Sequence, residues 1–89
     1  MNNKVLIKLF IAELDKNFDV LIPVNEAVWK IKKLLIKSIS DLEGINLNLE
    51  EEYVLLNKNT NKIYNNNEIV INTDIRNSSE LILIKITNS

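Results

Sequence analysis

The chain has no cysteine and no histidine, and only one glycine and one proline, among its 89 residues. Without cysteine there is no disulfide, no thiolate nucleophile and no thiolate-ligated zinc. Without histidine the usual general base near neutral pH and the commonest metal ligand are both missing. Excess charge is lacking as well. The 11 Lys and Arg against 12 Asp and Glu leave a net charge of -1, too little to draw in nucleic acid or an anionic lipid surface. No stretch approaches the ~20 apolar residues that cross a bilayer, so membrane insertion is not expected. The start Met1-Asn2-Asn3-Lys4 before an apolar run has the outline of a signal peptide. Lys8 breaks that run, however, Glu13 and Asp15 end it, and no small-residue cleavage site follows. A soluble, cytoplasmic protein is the expectation. Asn77-Ser78-Ser79 fits the N-glycosylation pattern, which means nothing without a secretion signal.

What is present is apolar. Hydrophobic residues make up 46% of the sequence, ample for one core and contrary to disorder. No repeat or linker interrupts residues 1–89, so a single small domain is expected. A chain of this length buries about 60–65% of its unfolded surface. Heavy use of Asn, Ile and Lys matches the codon bias of an AT-rich, Firmicutes-like bacterial genome.

The apolar segments come in an informative order. In Val5 to Ala12, alternation sends Val5, Ile7, Leu9 and Ile11 one way and Leu6, Lys8, Phe10 and Ala12 the other. A polar turn, Glu13 to Asn17, leads to a second strand with Phe18, Val20 and Ile22 on one face and Pro23 at its end. Asn25 is a helix N-cap by residue type, with Glu26 in the first turn. Val28, Ile31, Leu35, Ile39 and Leu42 then form one helical stripe with Leu34 at its margin, opposite Lys30, Lys33 and Lys37. Gly44 reads as the helix stop. Tyr53 to Leu56 is a third strand, Lys62-Ile63-Tyr64 a short fourth, and Glu80 to Ile86 the last. The stretch Glu68 to Ile75 reads as a buttressing loop or short helical turn. The order β-β-α-β-β-β implies an α+β fold, a mixed sheet with one helix packed across a face and the first and last strands as central, parallel neighbours. That is the β-grasp, or ubiquitin-like, arrangement.

Chemistry is scarce on this frame. Consecutive side chains of Glu50-Glu51-Glu52 alternate direction on extended backbone and cannot converge on a cation, so a solvated loop is the better reading. With no net positive charge and no matching aromatic platform in the chain, Lys30, Lys32, Lys33 and Lys37 read as a solvated helix face rather than a nucleic-acid footprint. Glu13, Asp15 and Asp19 lie at a surface hairpin, which offers no burial to separate their pKa values. No catalytic, metal-binding or cofactor-binding residue is expected, and no enzyme.

Apolar residues outside the helix-facing core point instead to protein binding. Leu6 and Phe10, Leu21, and Ile82 and Ile84 fall on the sheet face away from the helix. Strands buried on both faces read as continuous apolar runs, and so small a domain has little spare chain to serve as a cover. One of Val54 or Leu55 joins them, the register of the third strand being open. Trp29 and Ile36 flank the helical core stripe beside Lys32, and tryptophan is enriched in interaction hot spots. Trp29 at the edge of the core is the equal alternative.

The segment Phe18-Asp19-Val20-Leu21-Ile22-Pro23, followed by a helix carrying Val28, Ile31, Leu34, Leu35 and Ser38-Ile39, resembles the YukD/EsaB-like proteins of type VII (ESX/WXG) secretion loci. From Tyr53 through Ile63-Tyr64 and Ile75 to Ser79-Glu80-Leu81-Ile82-Leu83 the chain is similar to ubiquitin's own succession of elements. The resemblance spans roughly residues 4–86 and rests on apolar pattern and spacing with few identities. It implies an accessory or regulatory interaction module, docking on a secretion-system component or on a second copy through the sheet face. Ubiquitin and the β-grasp sulfur carriers act through a Gly-Gly tail, whereas this sequence ends Lys85-Ile86-Thr87-Asn88-Ser89, a departure the YukD-like proteins share. A sulfur-carrier or modifier with a hidden tail, and a structural piece of an unrelated assembly, are the alternatives.

Overall fold

Period-two alternation builds the sheet as expected. The structure is a computed structural model that describes residues 3–48 and 51–86. Strand β1, Lys4–Ile11, pairs antiparallel with β2, Lys16–Pro23, from Lys4 opposite Pro23 to Ile11 opposite Lys16. The connection is tighter than the sequence suggested, and Asp15 turns it in a left-handed conformation with φ 52°. Aspartate tolerates that region better than most residues, which accounts for it as turn chemistry.

Helix α1 runs Val28–Glu43 and begins later than the cap at Asn25 predicted. The reason lies in a second chain segment. Glu26 O and Val24 O accept from the amides of Val70 and Ile71, at 3.1 and 2.8 Å, which keeps residues 24–27 out of the helix. The first helical amides are then satisfied from outside. Val28 N–H donates to Glu68 O at 2.9 Å and Trp29 N–H to Asn66 O at 3.2 Å. These bonds do the work of a side-chain cap, and Ala27 occupies the cap position without one. Gly44 ends the helix with φ 67° and donates its amide to Ser40 O, as a C′ glycine should.

Strand β3, Tyr53–Asn57, and β4, Glu80–Lys85, complete a mixed sheet of order β2-β1-β4-β3, with β1 and β4 parallel at its centre. The expected strand at Lys62–Tyr64 is reduced to a single bridge between Leu56 and Ile63. Two bonds secure it, Asn57 N–H to Lys62 O at 2.8 Å and Tyr64 N–H to Leu55 O at 3.0 Å. Beyond them the asparagine cluster turns the chain away. Glu68–Ile75 holds a 3-10 turn at Val70–Asn72, in line with the buttress expected there.

Ile7, Leu9, Ile11, Leu55, Leu81 and Leu83 of the sheet meet Val28, Ile31, Leu35 and Ile39 of the helix, all essentially inaccessible to water. Each such side chain contributes about 1.5–3 kcal/mol by burial. Two helix assignments are corrected. Leu42, expected in the stripe, is 70% exposed, while Ile36, expected on the flank, is 3% exposed. The helix therefore buries its β3 side, where Tyr53 is also buried, while Leu34 on the other margin stays open.

Candidate protein-interaction surface

Register decides which apolar side chains face outward. Val54 lies opposite Ile84 and Leu56 opposite Ile82, so these point away from the helix, while Leu55 opposite Leu83 is fully buried. Leu55 thus leaves the candidate surface, and Leu56, which sequence reasoning missed, enters it. Extending the alternation from Val54 would have found Leu56 once the register was known.

Phe10 stands beside Ile82 on β4, and Ile82 beside Leu56, which the bridge links to Ile63. One step along the strands, Ile84 neighbours Val54. These six residues form one apolar patch over the β1-β4-β3 half of the outer face.

Leu6 and Leu21 were expected to adjoin that patch and do not. They pair with each other near one end of the β1–β2 ladder. Between them and Phe10 lies a charged row in which Lys8 has Asp19 on one side and Glu80 on the other. Lys58 extends the row with an ion pair to Glu80 at 3.3 Å. The outer face is therefore a main patch and a detached leucine pair.

Trp29 belongs to neither. It is 39% exposed on α1 and lines a groove of about 350 Å³ between the helix and the outer edge of β3. Lys32, Lys33 and Ile36 form the helix wall with it; Tyr53, Val54, Ile63 and Tyr64 form the strand wall. Lys30 and Lys33 hold their ammonium groups 5.6 and 5.4 Å from the indole centroid. Lys32 Nζ donates to Tyr53 O at 2.7 Å. Burial pushes its pKa down, opposed by the charge of Glu52.

The remaining polar groups serve the fold. Tyr64 Oη donates to Asp74 at 2.6 Å and accepts from Asn57 Nδ2 at 3.2 Å. Burial, helped by the Asp74 bond, pushes its pKa up to about 12. Glu51 pairs with Lys85 at 3.9 Å, whereas Glu50 and the Thr87–Ser89 ending lie outside the described residues. Among the described residues no group of three acidic side chains is placed to hold a metal ion, and no helix is long and apolar enough to cross a membrane.

Comparison with known proteins agrees on architecture. No protein-family model matches the chain, and no curated protein matches it. Solved structures do. The chain is similar to the EccD5 ubiquitin-like domain from Mycobacterium xenopi, with TM-score 0.77 and 12% identity over 99% of this chain and 100% of that one. A chain of the MycP5-free ESX-5 inner membrane complex matches with TM-score 0.74 and 15% identity, over 99% of this chain but 22% of its own length. The UBL domain of Plasmodium falciparum Dsk2 matches with TM-score 0.68 and 17% identity, over 93% and 99% of the two chains. The fold is that of a ubiquitin-like β-grasp domain, with one helix on a mixed sheet.

Proposed function

We propose that this chain is a non-catalytic, ubiquitin-like interaction module, a cytoplasmic accessory or regulatory component of a type VII (ESX-type) secretion system of the YukD/EsaB kind. The observation that carries the docking role is the continuous apolar patch of Phe10, Val54, Leu56, Ile63, Ile82 and Ile84 on the sheet face without a helix. The secretion context is supported by the sequence resemblance and by the likeness to ubiquitin-like domains of ESX-5 proteins. Apolar area of this kind drives association once it is removed from water, and a charged border such as Lys8, Asp19 and Glu80 fixes orientation. Affinity capture from the native cell, with wild type and a Phe10→Glu/Ile82→Glu variant checked by circular dichroism, tests it. Secretion-system components should come down with wild type and be lost with the folded variant. Identical captures from the two proteins would sink the sheet-face reading.

A further inference from the structure

The apolar patch lies against a row of four charges, and their order bears on what covers it. Across the outer face the row runs Asp19 on β2, Lys8 on β1, Glu80 on β4 and Lys58 just past the end of β3. The signs alternate: minus, plus, minus, plus. These four side chains and Phe10 line one shallow depression, so row and patch are contiguous. Lys58 is paired with Glu80 at 3.3 Å, whereas Lys8 and Asp19 make no ion pair among the described residues. Each molecule therefore presents one unpaired ammonium and one unpaired carboxylate beside its apolar patch.

Read backwards, an alternating row of four is its own complement. A twofold axis between two such faces, parallel to the strands, reverses the order of the strands and keeps position along them. With that axis over the β1–β4 seam, Lys8 meets Glu80 of the second copy and Asp19 meets its Lys58, each contact occurring twice. One step along the strands the same axis sets Phe10 over Ile82 of the second copy, with Leu56 over its Asn17 at the margin. Turning the axis across the strands at Phe10 destroys this match. Asp19 would then come towards Asp15, and Lys8, Glu80 and Lys58 would face Ala12, Ile84 and Val54. Charges removed from water against such neighbours are not repaid. Of the two arrangements, the first alone covers the patch without stranding a charge.

We propose that a second copy of this chain covers the outer face, in a twofold-symmetric dimer with Phe10 and Ile82 crossing at its centre and the charged rows paired beside them. The proposal rests on the sheet-face reading and names the occupant of that face in the free protein. Sheets packed face to face keep their strands near alignment, as this axis requires. Four strands about 4.8 Å apart make a face roughly 19 Å across, at the small end of specific interfaces, so the dimer is weak and forms at micromolar rather than nanomolar concentration.

Sedimentation velocity on the full chain over a concentration series should show a reversible monomer–dimer equilibrium that Ile82→Glu abolishes. Lys8→Glu sets carboxylates together at both symmetric contacts and should weaken the dimer about tenfold, as Glu80→Lys should by bringing ammonium groups together. The double exchange Lys8→Glu/Glu80→Lys makes the row complementary to its own reverse again and should recover most of that loss. Circular dichroism checks that each variant is folded. A monomer at every concentration up to millimolar overturns the proposal, and so does a dimer that survives Ile82→Glu or that the double exchange fails to restore. A monomeric wild type whose captured partners are still lost with Phe10→Glu/Ile82→Glu would overturn the second copy alone and leave the sheet-face reading intact.

Discussion

The two faces of the central strands carry nearly the same kind of side chain and meet opposite fates. On the inner face Ile7, Leu9, Ile11, Leu81 and Leu83 are at most 1% exposed, whereas outward-facing Leu6 and Ile84 are 43% and 39% exposed. Strand chemistry does not separate them; the cover does. Helix α1 and the Tyr64, Val70 and Ile75 segments close the inner side, and among the described residues no element packs over the outer one. An apolar run on a central strand therefore says that the strand is central. Whether the second face is core or contact surface depends on what chain is left to cover it.

The comparison breaks most sharply by truncation. Ile7→Ala and Leu83→Ala each remove buried volume from a site walled on every side, and should cost about 2–5 kcal/mol. The denaturant midpoint should fall accordingly at unchanged slope. If either variant lost less than the outward-facing Ile84→Ala, the inner face would not be the principal core.

Much of this frame was legible beforehand, because it rests on periodicity. The faces of β1, β2 and β4, the helix stripe from Val28 to Ile39, and the glycine stop all follow from local spacing. What was not legible came from segments far apart in sequence. Asn25 lost the helix start because Val70 and Ile71 zipper onto the chain before it. Ile36 became core on the side of the helix that faces Tyr53 of β3, a neighbour distant in sequence. In β3, Tyr53-Val54-Leu55-Leu56 is apolar at every position, so only pairing with β4 could assign Val54 and Leu56 outward and Leu55 inward. The candidate surface was legible as a face but not as two patches, since the charged row dividing it is assembled from three strands.

A smaller effect sharpens what closes the inner side. Tyr64→Phe removes the hydroxyl joining Asn57 and Asp74 and leaves Asn57 Nδ2 buried without that acceptor, costing about 1–3 kcal/mol. The loss should itself depend on pH. The folded-state pKa is raised to about 12, above an unfolded value of about 10, so folding favours the protonated phenol. Its contribution is complete below pH ~10 and is lost as pH rises through about 12. Stability curves of wild type and Tyr64→Phe should therefore run parallel up to pH ~10 and converge above it. Parallel curves throughout would mean that Tyr64 ionises as freely in the folded protein as in the unfolded chain.

The smallest expected effect is also the most discriminating for the outer face. Leu6 and Leu21 pair across β1 and β2 but are cut off from Phe10 by Lys8, Asp19 and Glu80. With Leu21 56% exposed, Leu21→Ser gives up little buried area and should change stability by no more than about 0.5 kcal/mol. Binding is where the two patches should part. A partner seated on Phe10, Ile82, Leu56 and Ile84 has to desolvate the charged row before it reaches Leu21, and removing charges from water costs more than one leucine contact returns. Partner affinity of Leu21→Ser, measured beside Ile82→Glu at matched folding, should stay within about twofold of wild type, the limit expected for a contact outside the energetic centre of an interface. A loss comparable to that of Ile82→Glu would show that the bound partner spans the row, and the outer face would then act as one surface despite its division.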